Sequence, residues 1–307
     1  MMKNNNNQPL VSIIMNCFNG ETYLDEAINS IVNQTYNNWE LIFWDNCSTD
    51  SSKKILDKYK DRRIKYFYSE KFTNLHEARN LALNKAGGNY IAFLDTDDFW
   101  SSNKLELQIK EIIRTKSVVL YSNCWILNKK TFLKKKIMTK NKLPSGFIFS
   151  DLLKHYVVPL PTILVEKKFL KKKNIFFNEN YKIIGDFDLV MQIALNEKIV
   201  SLQEPLTTYR IHSNSFSIKN KIMQINELKS WLHNFKEKNQ KIINNNLIIF
   251  KKFEDKINLQ EQILLSKKVS EKFLLLKFLF KNFNFFSLGL IIKAYTPEFF
   301  KKKIFFF

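Results

Sequence analysis

Glycine and cysteine are both scarce in this chain of 307 residues, which has six glycines and three cysteines. Neither a G-x-x-x-x-G-K-[ST] nor a G-x-G-x-x-G phosphate-binding pattern is present. His-Glu-x-x-His and nucleophile-elbow serine motifs are also missing. The cysteines (Cys17, Cys47 and Cys124) form no Cys-x-x-Cys pair, which favours a reducing compartment without a disulfide framework. A bound nucleotide would therefore have to be held by side chains and a metal.

Arginine is scarce as well, although the formal net charge is +20: only five of the 49 basic residues are arginine. A basic surface indicates anionic partners such as phosphorylated substrates or acidic membranes. Recognition of bases and bidentate binding of phosphate both favour the planar guanidinium of arginine. Because arginine is scarce, we expect no nucleic-acid partner. Lysine, asparagine, isoleucine and phenylalanine all have A/T-rich codons, and mutational bias is an alternative source of the lysine excess.

Long apolar runs are absent too. No stretch of about 18 uncharged apolar residues occurs, so we expect no membrane-spanning helix. The N-terminus MMKNNNNQPL has no apolar signal-peptide core, and residues 1–9 are expected to be a disordered tail. These features predict a cytoplasmic protein.

The first half of the chain alternates strand and helix patterns. Short apolar runs are typical of buried parallel strands, and apolar residues at spacings of three and four are typical of helices. A Gly-Gly pair at 87–88 is a usual helix stop. The order predicts an α/β, Rossmann-like, mostly parallel sheet with helices on both faces. The predicted strands are Val11–Met15, Glu40–Trp44, Ile64–Tyr68 and Tyr90–Leu94, and the predicted helices lie near 24–32, 51–60, 77–86 and 102–115.

Polar residues follow three of these strands, at Asn16–Asn19, Asp45–Asp50 and Asp95–Asp98. Because ligands of such sheets sit beyond the carboxyl ends of the strands, this rim is the candidate site. Clustered carboxylates repel one another unless a cation compensates, and Mg²⁺ or Mn²⁺ prefers such ligands together with phosphate oxygens. The alternative is an acidic cap at a helix N-terminus.

Four blocks of the chain, in order, resemble the family 2 glycosyltransferases. They are VSIIMNCFNGETYLDEAINSIVNQTYNNWELIFWDNCSTD, NLHEARNLALNKAGGNYIAFLDTDDFW with its Asp-x-Asp motif, GDFDLVMQIA, and YRIHSNSFS. Together they cover roughly residues 10–217. The resemblance implies an A-type glycosyltransferase fold and a nucleotide-sugar-dependent, inverting, metal-dependent enzyme.

The resemblance also implies roles for individual residues. Asp186 matches the catalytic base, and Asp188 matches a neighbouring acid. Asp95 and Asp97 match the pair that holds Mg²⁺ or Mn²⁺, with Asp97 the firmer ligand. Residues matching the donor-binding positions are Asn16, Cys17, Phe18, Asn19, Asp45, Asn46, Arg79, Asp95, Asp97, Asp98, Arg210 and His212.

Each position also has a structural interpretation. Taken alone, Asp186 is typical of a helix N-cap, because it follows a glycine and precedes an apolar helix. Arg79 taken alone is a solvated helix charge, and His212 a structural histidine. Asp45 taken alone is a turn former. The family's usual second acid after strand two is replaced by Asn46, which leaves the identity of the donor's nucleotide base open.

The predicted function is transfer of a sugar from a UDP- or dTDP-sugar to a glycan or lipid-linked hydroxyl. The pathway implied by the resemblance is bacterial surface polysaccharide or lipopolysaccharide synthesis. Two alternatives stay open: a sugar-phosphate nucleotidyltransferase, and a non-enzymatic module that binds nucleic acid or membrane.

The domain organisation predicted is a catalytic domain over residues 10–217 and a helical, basic and aromatic region over 218–307. Within the latter, 273–307 combines lysines with phenylalanine and leucine, and only eleven uncharged residues separate Lys281 from Lys293. That pattern favours an interfacial helix on an anionic membrane surface at the inner face of the membrane. The alternatives are packing on the catalytic domain and a dimer contact.

Overall fold

The computed structural model of the protein describes residues 8–128, 136–212 and 216–266. Most of the predicted N-terminal tail, and the whole of the segment 273–307, lie outside the described residues. No helix of the described ranges is long and apolar enough to span a membrane.

Nine strands of the described residues form one sheet. The first four coincide closely with the four strands predicted from apolar runs. The strands are β1 (Val11–Cys17), β2 (Trp39–Asp45), β3 (Ile64–Tyr68), β4 (Tyr90–Phe93), β5 (Phe99–Trp100), β6 (Val119–Asn128), β7 (Lys136–Ile137), β8 (Ile163–Glu166) and β9 (Val200–Ile211).

Helices connect these strands and continue beyond the last of them. The second predicted helix, expected over 51–60, is shorter than its pattern suggested. The helices are α1 (Leu24–Val32), α2 (Ser52–Leu56), α3 (Leu75–Lys85), α4 (Lys104–Thr115), α5 (Phe149–Lys154), α6 (Lys167–Lys172), α7 (Gly185–Asn196), α8 (Phe216–Lys219), α9 (Lys221–Lys238), α10 (Gln240–Asn244) and α11 (Leu247–Leu265).

The sheet order is β3-β2-β1-β4-β8-β6-β9-β5, with β7 on β6. The four strands at one end, β3, β2, β1 and β4, are all parallel. The antiparallel β8 then separates β4 from β6, while β6 and β9 run parallel to each other. The predicted α/β class with parallel N-terminal strands is therefore confirmed.

Both faces of this sheet are covered. One core cluster contains Ile13 of β1 together with Ile28 of α1 and Ile109 of α4. Alternate residues of a strand point to opposite faces, and the buried Ile14 therefore lies on the face opposite Ile13. Helix α3, whose Ala78 is fully buried, packs on β1 and β2 without belonging to that cluster.

The Gly87-Gly88 pair does not stop α3 by a left-handed turn, because neither glycine has a positive φ. The helix ends at Lys85, with Ala86 in an extended conformation. A Cβ added at Gly88 would lie 2.7 Å from the backbone oxygen of Leu10 and the backbone nitrogen of Ser12. The predicted reason for this pair was therefore wrong: Gly88 permits a close approach to β1.

The chain divides into two compact units, Met1–Ile148 with Val158–His212, and Phe149–Val157 with Ser213–Phe307. The first contains the whole sheet. In the second, α11 packs on α9 and α5. Phe235 of α9 stacks on Trp231 of the same helix and on Phe250 of α11, at centroid distances of 5.1 and 5.5 Å.

Candidate active site

Three parallel strands deliver their following residues to one edge of the sheet. In β1 and β2, Cys17 lies beside Asp45 in the register. Strand β4 pairs with β1 on the other side and ends at Phe93, just before the acidic run Asp95–Asp98. The polar rim predicted from the sequence is therefore present, and the acidic run lies next to the end of β1.

Arg79 of α3 connects two carboxylates that are distant in sequence. Its Nη2 donates to Asp95 Oδ1 at 2.7 Å, and its Nη1 donates to Asp186 Oδ1. Only 2% of the residue is exposed, so the interpretation as a solvated helix charge is wrong. A buried guanidinium needs such partners, because an uncompensated charge in the interior is costly. Arg79 thereby joins the Asp-x-Asp segment to α7.

Asp186 is the second residue of α7 and does not cap it, since Ile184 occupies the N-cap position and Gly185 begins the helix. The capping interpretation is therefore wrong. Burial raises the pKa of Asp186 to about 6, against the lowering effect of Arg79. Among the described residues, its carboxylate contacts Arg79 and, at 3.9 Å, His76, in both cases through Oδ1. Oδ2 is thus the oxygen left to accept a proton.

His76 was not identified from the sequence, where it stands three residues before Arg79 on the same helix. Its Nε2 accepts a hydrogen bond from the Gly185 backbone N–H at 3.2 Å. Burial, followed by the charge of Arg79, lowers the pKa of His76 to about 3, so the ring is neutral at physiological pH. The sequence carried no signal for this contact, because the partners are 109 residues apart.

The other aspartate of the Asp-x-Asp pair has a histidine partner. Asp97 Oδ2 lies 2.9 Å from His212 Nε2, and the His212 ring packs against Tyr23 with centroids 5.3 Å apart. The side chains of Asp95 and Asp97 are 33% and 32% exposed. The structure thus brings His212 to the acidic run, as the Tyr-Arg-x-His segment suggested.

Arg210 contacts the same acidic run, and its guanidinium is paired within the protein. Its guanidinium donates to the Asp97 carbonyl oxygen at 2.8 Å and to the carboxylate of Glu26 on α1. Its backbone N–H donates to Asp98 Oδ1 at 2.8 Å, while Asp98 Oδ2 is buried and has no hydrogen-bond partner in the part of the chain that the structure describes. Burial, with Asp97 and Asp95 nearby, raises the pKa of Asp98 well above its usual range. These contacts fix the backbone that presents Asp97.

Asp45 and Asn46, at the end of β2, also make contacts within the protein. Asp45 Oδ1 accepts the Ser48 N–H at 2.8 Å, and its Oδ2 accepts the Tyr66 hydroxyl at 2.9 Å. The Asn46 amide donates to the Thr73 carbonyl oxygen at 2.8 Å and accepts from the Thr73 hydroxyl at 3.1 Å. Both residues therefore shape the loops around the rim, and their contacts with a nucleotide remain predictions.

The segment after β1 is held in a specific conformation. Asn19 has a φ of 53°, and its side chain accepts the Thr49 N–H at 2.8 Å. A Cβ added at Gly20 would lie 3.1 Å from the buried Cys17 Sγ and 3.0 Å from Thr96 Oγ1. The side-chain amide of Asn16 is buried and has no hydrogen-bond partner among the described residues. Asn16 thus keeps donor and acceptor groups unpaired at the strand end.

An aromatic pair borders this rim. Phe18 and Phe72 meet edge to face with centroids 4.7 Å apart, and they are 53% and 56% exposed. Exposed aromatic faces of this kind suit stacking on a planar ring. Phe72 was not identified from the sequence, because it lies in the loop before α3, outside the blocks that carried the resemblance.

This edge of the sheet therefore offers two partly exposed acids, Asp95 and Asp97, of which Asp97 is paired with a histidine. It also offers the buried Arg79 and, 107 residues further along the chain, Asp186 with its raised pKa. Such a set can hold a cation with an anionic leaving group on one side and remove a proton on the other.

Comparison with known proteins identifies relatives of the chain. The family model described as glycosyl transferase family 2 matches residues 12–187. The chain is 33% identical over 213 residues to the UDP-Glc:alpha-D-GlcNAc-diphosphoundecaprenol beta-1,3-glucosyltransferase WfgD of Escherichia coli, covering 67% of this chain and 81% of the relative. It is 30% identical to the putative teichuronic acid biosynthesis glycosyltransferase TuaG of Bacillus subtilis, covering 68% and 82%.

The fold has solved counterparts as well. The crystal structure of S. aureus TarS 1–349 in complex with UDP-GlcNAc superposes with a TM-score of 0.66 at 21% identity, covering 87% of this chain and 78% of that one. This likeness confirms the predicted fold class. Because the family model spans more than half of the sequence and the relatives align over most of their length, the chain belongs to glycosyl transferase family 2.

Proposed function

We propose that the protein transfers a sugar from a UDP-sugar to a hydroxyl of a lipid-linked acceptor, with inversion, in the assembly of a bacterial surface polysaccharide. The donor and acceptor classes are those named for WfgD, which uses UDP-Glc and an undecaprenol diphosphate sugar. The role of TuaG in teichuronic acid biosynthesis supports the same pathway class. The protein would then work at the surface of the membrane that carries its acceptor.

The observation that carries this proposal is the double ion pair of Arg79 with Asp95 and Asp186. One carboxylate, Asp95, belongs to the Asp-x-Asp segment that matches the family's donor-binding positions. The other, Asp186, matches the base and is the second residue of α7. A rigid buried arginine holds the two at a fixed separation. Fixed placement of this kind converts a bimolecular displacement into an oriented one and lowers its entropic barrier.

Asp186 would act as the general base. An acceptor hydroxyl has a very high pKa, so its proton must leave as the new bond forms. A carboxyl group with a pKa of about 6 is ionised at neutral pH and is a stronger base than an ordinary aspartate. The proton would pass to Oδ2, while Oδ1 stays bound to Arg79. Attack opposite the leaving diphosphate inverts the anomeric carbon without a covalent intermediate.

Family 2 members commonly use a divalent metal, and the residues present fit one. Asp97 and Asp95 supply carboxylate oxygens, and His212 lies beside Asp97. Among the described residues no cluster of three or more His, Cys, Asp or Glu side chains is placed to hold a metal alone, and Mg²⁺ commonly completes its coordination with substrate phosphates and water. When bound there, Mg²⁺ or Mn²⁺ would neutralise charge that develops on the diphosphate.

The uracil ring would contact the exposed faces of Phe18 and Phe72. The unpaired amide of Asn16 and the carboxylate of Asp45 would supply polar groups at the ends of β1 and β2. In this arrangement Asn46 supports the base site indirectly, by holding Thr73 of the loop that carries Phe72.

The test is a transfer assay with a panel of UDP- and dTDP-sugars, Mn²⁺ and a short-chain lipid diphosphate bearing GlcNAc. We expect UDP release in step with formation of a product of inverted anomeric configuration by NMR. Release of pyrophosphate instead would favour the nucleotidyltransferase, and no turnover with any donor would favour a binding module.

A further inference from the structure

We propose that His76 is a positioning residue that sets the start of α7 and thereby places Asp186 for proton abstraction. This inference rests on the proposed role of Asp186 as the base. It starts from the hydrogen bond between His76 and the backbone of Gly185, the residue directly before Asp186.

The hydrogen bond defines the tautomer of His76. The Gly185 N–H can donate only to an unprotonated nitrogen, so Nε2 is the acceptor and Nδ1 carries the proton of the neutral ring. The first N–H groups of a helix have no partner within the helix, and α7 has no side-chain cap. His76 takes the place of that missing cap, from a different helix.

Gly185 and His76 also fit each other sterically. A Cβ added at Gly185 would lie 2.5 Å from three atoms of the His76 ring, a distance that real Cβ atoms essentially never show. The ring therefore packs directly on the backbone at the start of α7. Gly185 does not have a positive φ, so its backbone conformation does not call for a glycine. The close contact with the His76 ring is therefore the reason that a glycine precedes the base.

The ring itself is held from the other side. Phe177 stacks on His76 with centroids 5.6 Å apart and an interplanar angle of 14°, and its ring also lies 5.3 Å from the Arg79 guanidinium carbon. His76 Nδ1 is buried, has no hydrogen-bond partner among the described residues, and lies 3.9 Å from Asp186 Oδ1. Nδ1 is thus close to the oxygen that Arg79 contacts, although beyond hydrogen-bond distance, and the His76 ring borders the carboxyl group as well as the backbone before it.

Two substitutions separate the hydrogen bond from the packing. His76→Phe keeps an aromatic ring for the stack but removes the acceptor, whereas His76→Gln keeps an acceptor near the Nε2 position. We expect His76→Phe to lower kcat by about 10- to 100-fold, the scale of a misplacement of about 1 Å, with KM for the donor nearly unchanged. His76→Gln should recover most of that loss. An equal loss of kcat in two well-folded variants would overturn the proposal.

A double-mutant cycle shows whether the effect passes through Asp186. In the Asp186→Asn background, His76→Phe should change the residual rate by less than about three-fold, because the base it positions is already gone. An undiminished effect there would make His76 a general structural residue. If Asp186→Asn alone keeps full transfer, the proposed function fails; if it is inactive while His76→Phe is fully active, only the positioning role fails.

Discussion

At the scale of single residues, the site is a set of charges that compensate one another across long sequence distances. Arg79 is the centre of this set, since it is buried and contacts Asp95 and Asp186 at once. A neutral, buried His76 and an acid of raised pKa follow from the same burial. Substitutions of single acids, each with a control variant, test the roles proposed for them.

Asp186→Asn should reduce the rate of sugar transfer by a factor of about 10² to 10⁴, which is the usual rate enhancement from a positioned general base. The amide is nearly isosteric and leaves Arg79 paired with Asp95, so donor affinity should stay within a few-fold of wild type. Initial rates and donor titrations measure both quantities.

Asp188→Asn is the matched control, because this aspartate lies two residues further along α7 and its Oδ2 accepts a hydrogen bond from Gln192 at 2.8 Å. Near-full transfer by Asp186→Asn would remove it as the base. Loss of transfer only in Asp188→Asn would move the role to that residue.

Asp97→Ala should abolish Mn²⁺-dependent binding of the UDP-sugar while the protein stays folded, because Asp97 supplies a partly exposed carboxylate at the end of the Asp-x-Asp motif. Thermal-shift assays with and without Mn²⁺ measure the binding of the donor. At a donor concentration of a hundred times Kd, the wild type should be stabilised by about 2.7 kcal/mol. An unchanged Mn²⁺-dependent shift in the variant would refute the metal assignment. Lys53→Ala, which removes an exposed ion pair between α2 and Asp57 just after it, serves as the control.

At the scale of elements, the start of α7 depends on α3. Helix α3 is capped by Asn74, whose side chain accepts the N–H groups of His76 and Glu77. It carries both the ring that binds Gly185 and the arginine that binds Asp186. Asp186, the proposed base, is therefore positioned by a neighbouring helix as well as by its own.

Gly185→Ala should destabilise the protein by about 1–3 kcal/mol, the usual cost of overpacking, because the added methyl group would meet the His76 ring. Urea denaturation measures the change. In the His76→Ala background, where the ring is absent, the same substitution should cost much less. Equal costs in the two backgrounds would show that the ring and the glycine are not in contact.

At the scale of the whole molecule, the sheet-containing unit carries the candidate site, and the helical unit is a separate compact body. The segment 273–307, outside the described residues, continues the chain beyond α11 with a lysine- and phenylalanine-rich sequence. An acceptor held in a membrane would favour an enzyme that binds the membrane surface.

Removal of residues 273–307 should release the protein from anionic liposomes and spare turnover with a water-soluble acceptor. Each lysine near an anionic surface contributes about 1 kcal/mol to the free energy of membrane binding. Aromatic side chains add to this by burying apolar surface in the interface. Liposome co-sedimentation at two salt concentrations measures the binding. Unfolding of the truncated protein would identify the segment as packing, and unchanged sedimentation would exclude it as the membrane contact.

Local patterns in the sequence determined the four parallel strands, because buried apolar runs and helical spacings are properties of neighbouring residues. They also determined the rim at the carboxyl ends, since parallel strands share that edge. The resemblance over four blocks determined the family. What the sequence did not determine was the antiparallel insertion of β8 between β4 and β6, or the inclusion of Phe149–Val157 in the helical unit.

Only the tertiary structure decided which distant residues meet. Arg79 and Asp186 are 107 residues apart, His76 and Gly185 are 109 apart, and Arg210 and Glu26 are 184 apart. No local pattern encodes such pairings, because they depend on how the sheet orders its strands and how α3 packs beside α7. In the sequence, the glycine before Asp186 suggested that Asp186 caps a helix. The structure shows instead that Gly185 lies against the His76 ring, where a larger side chain would not fit.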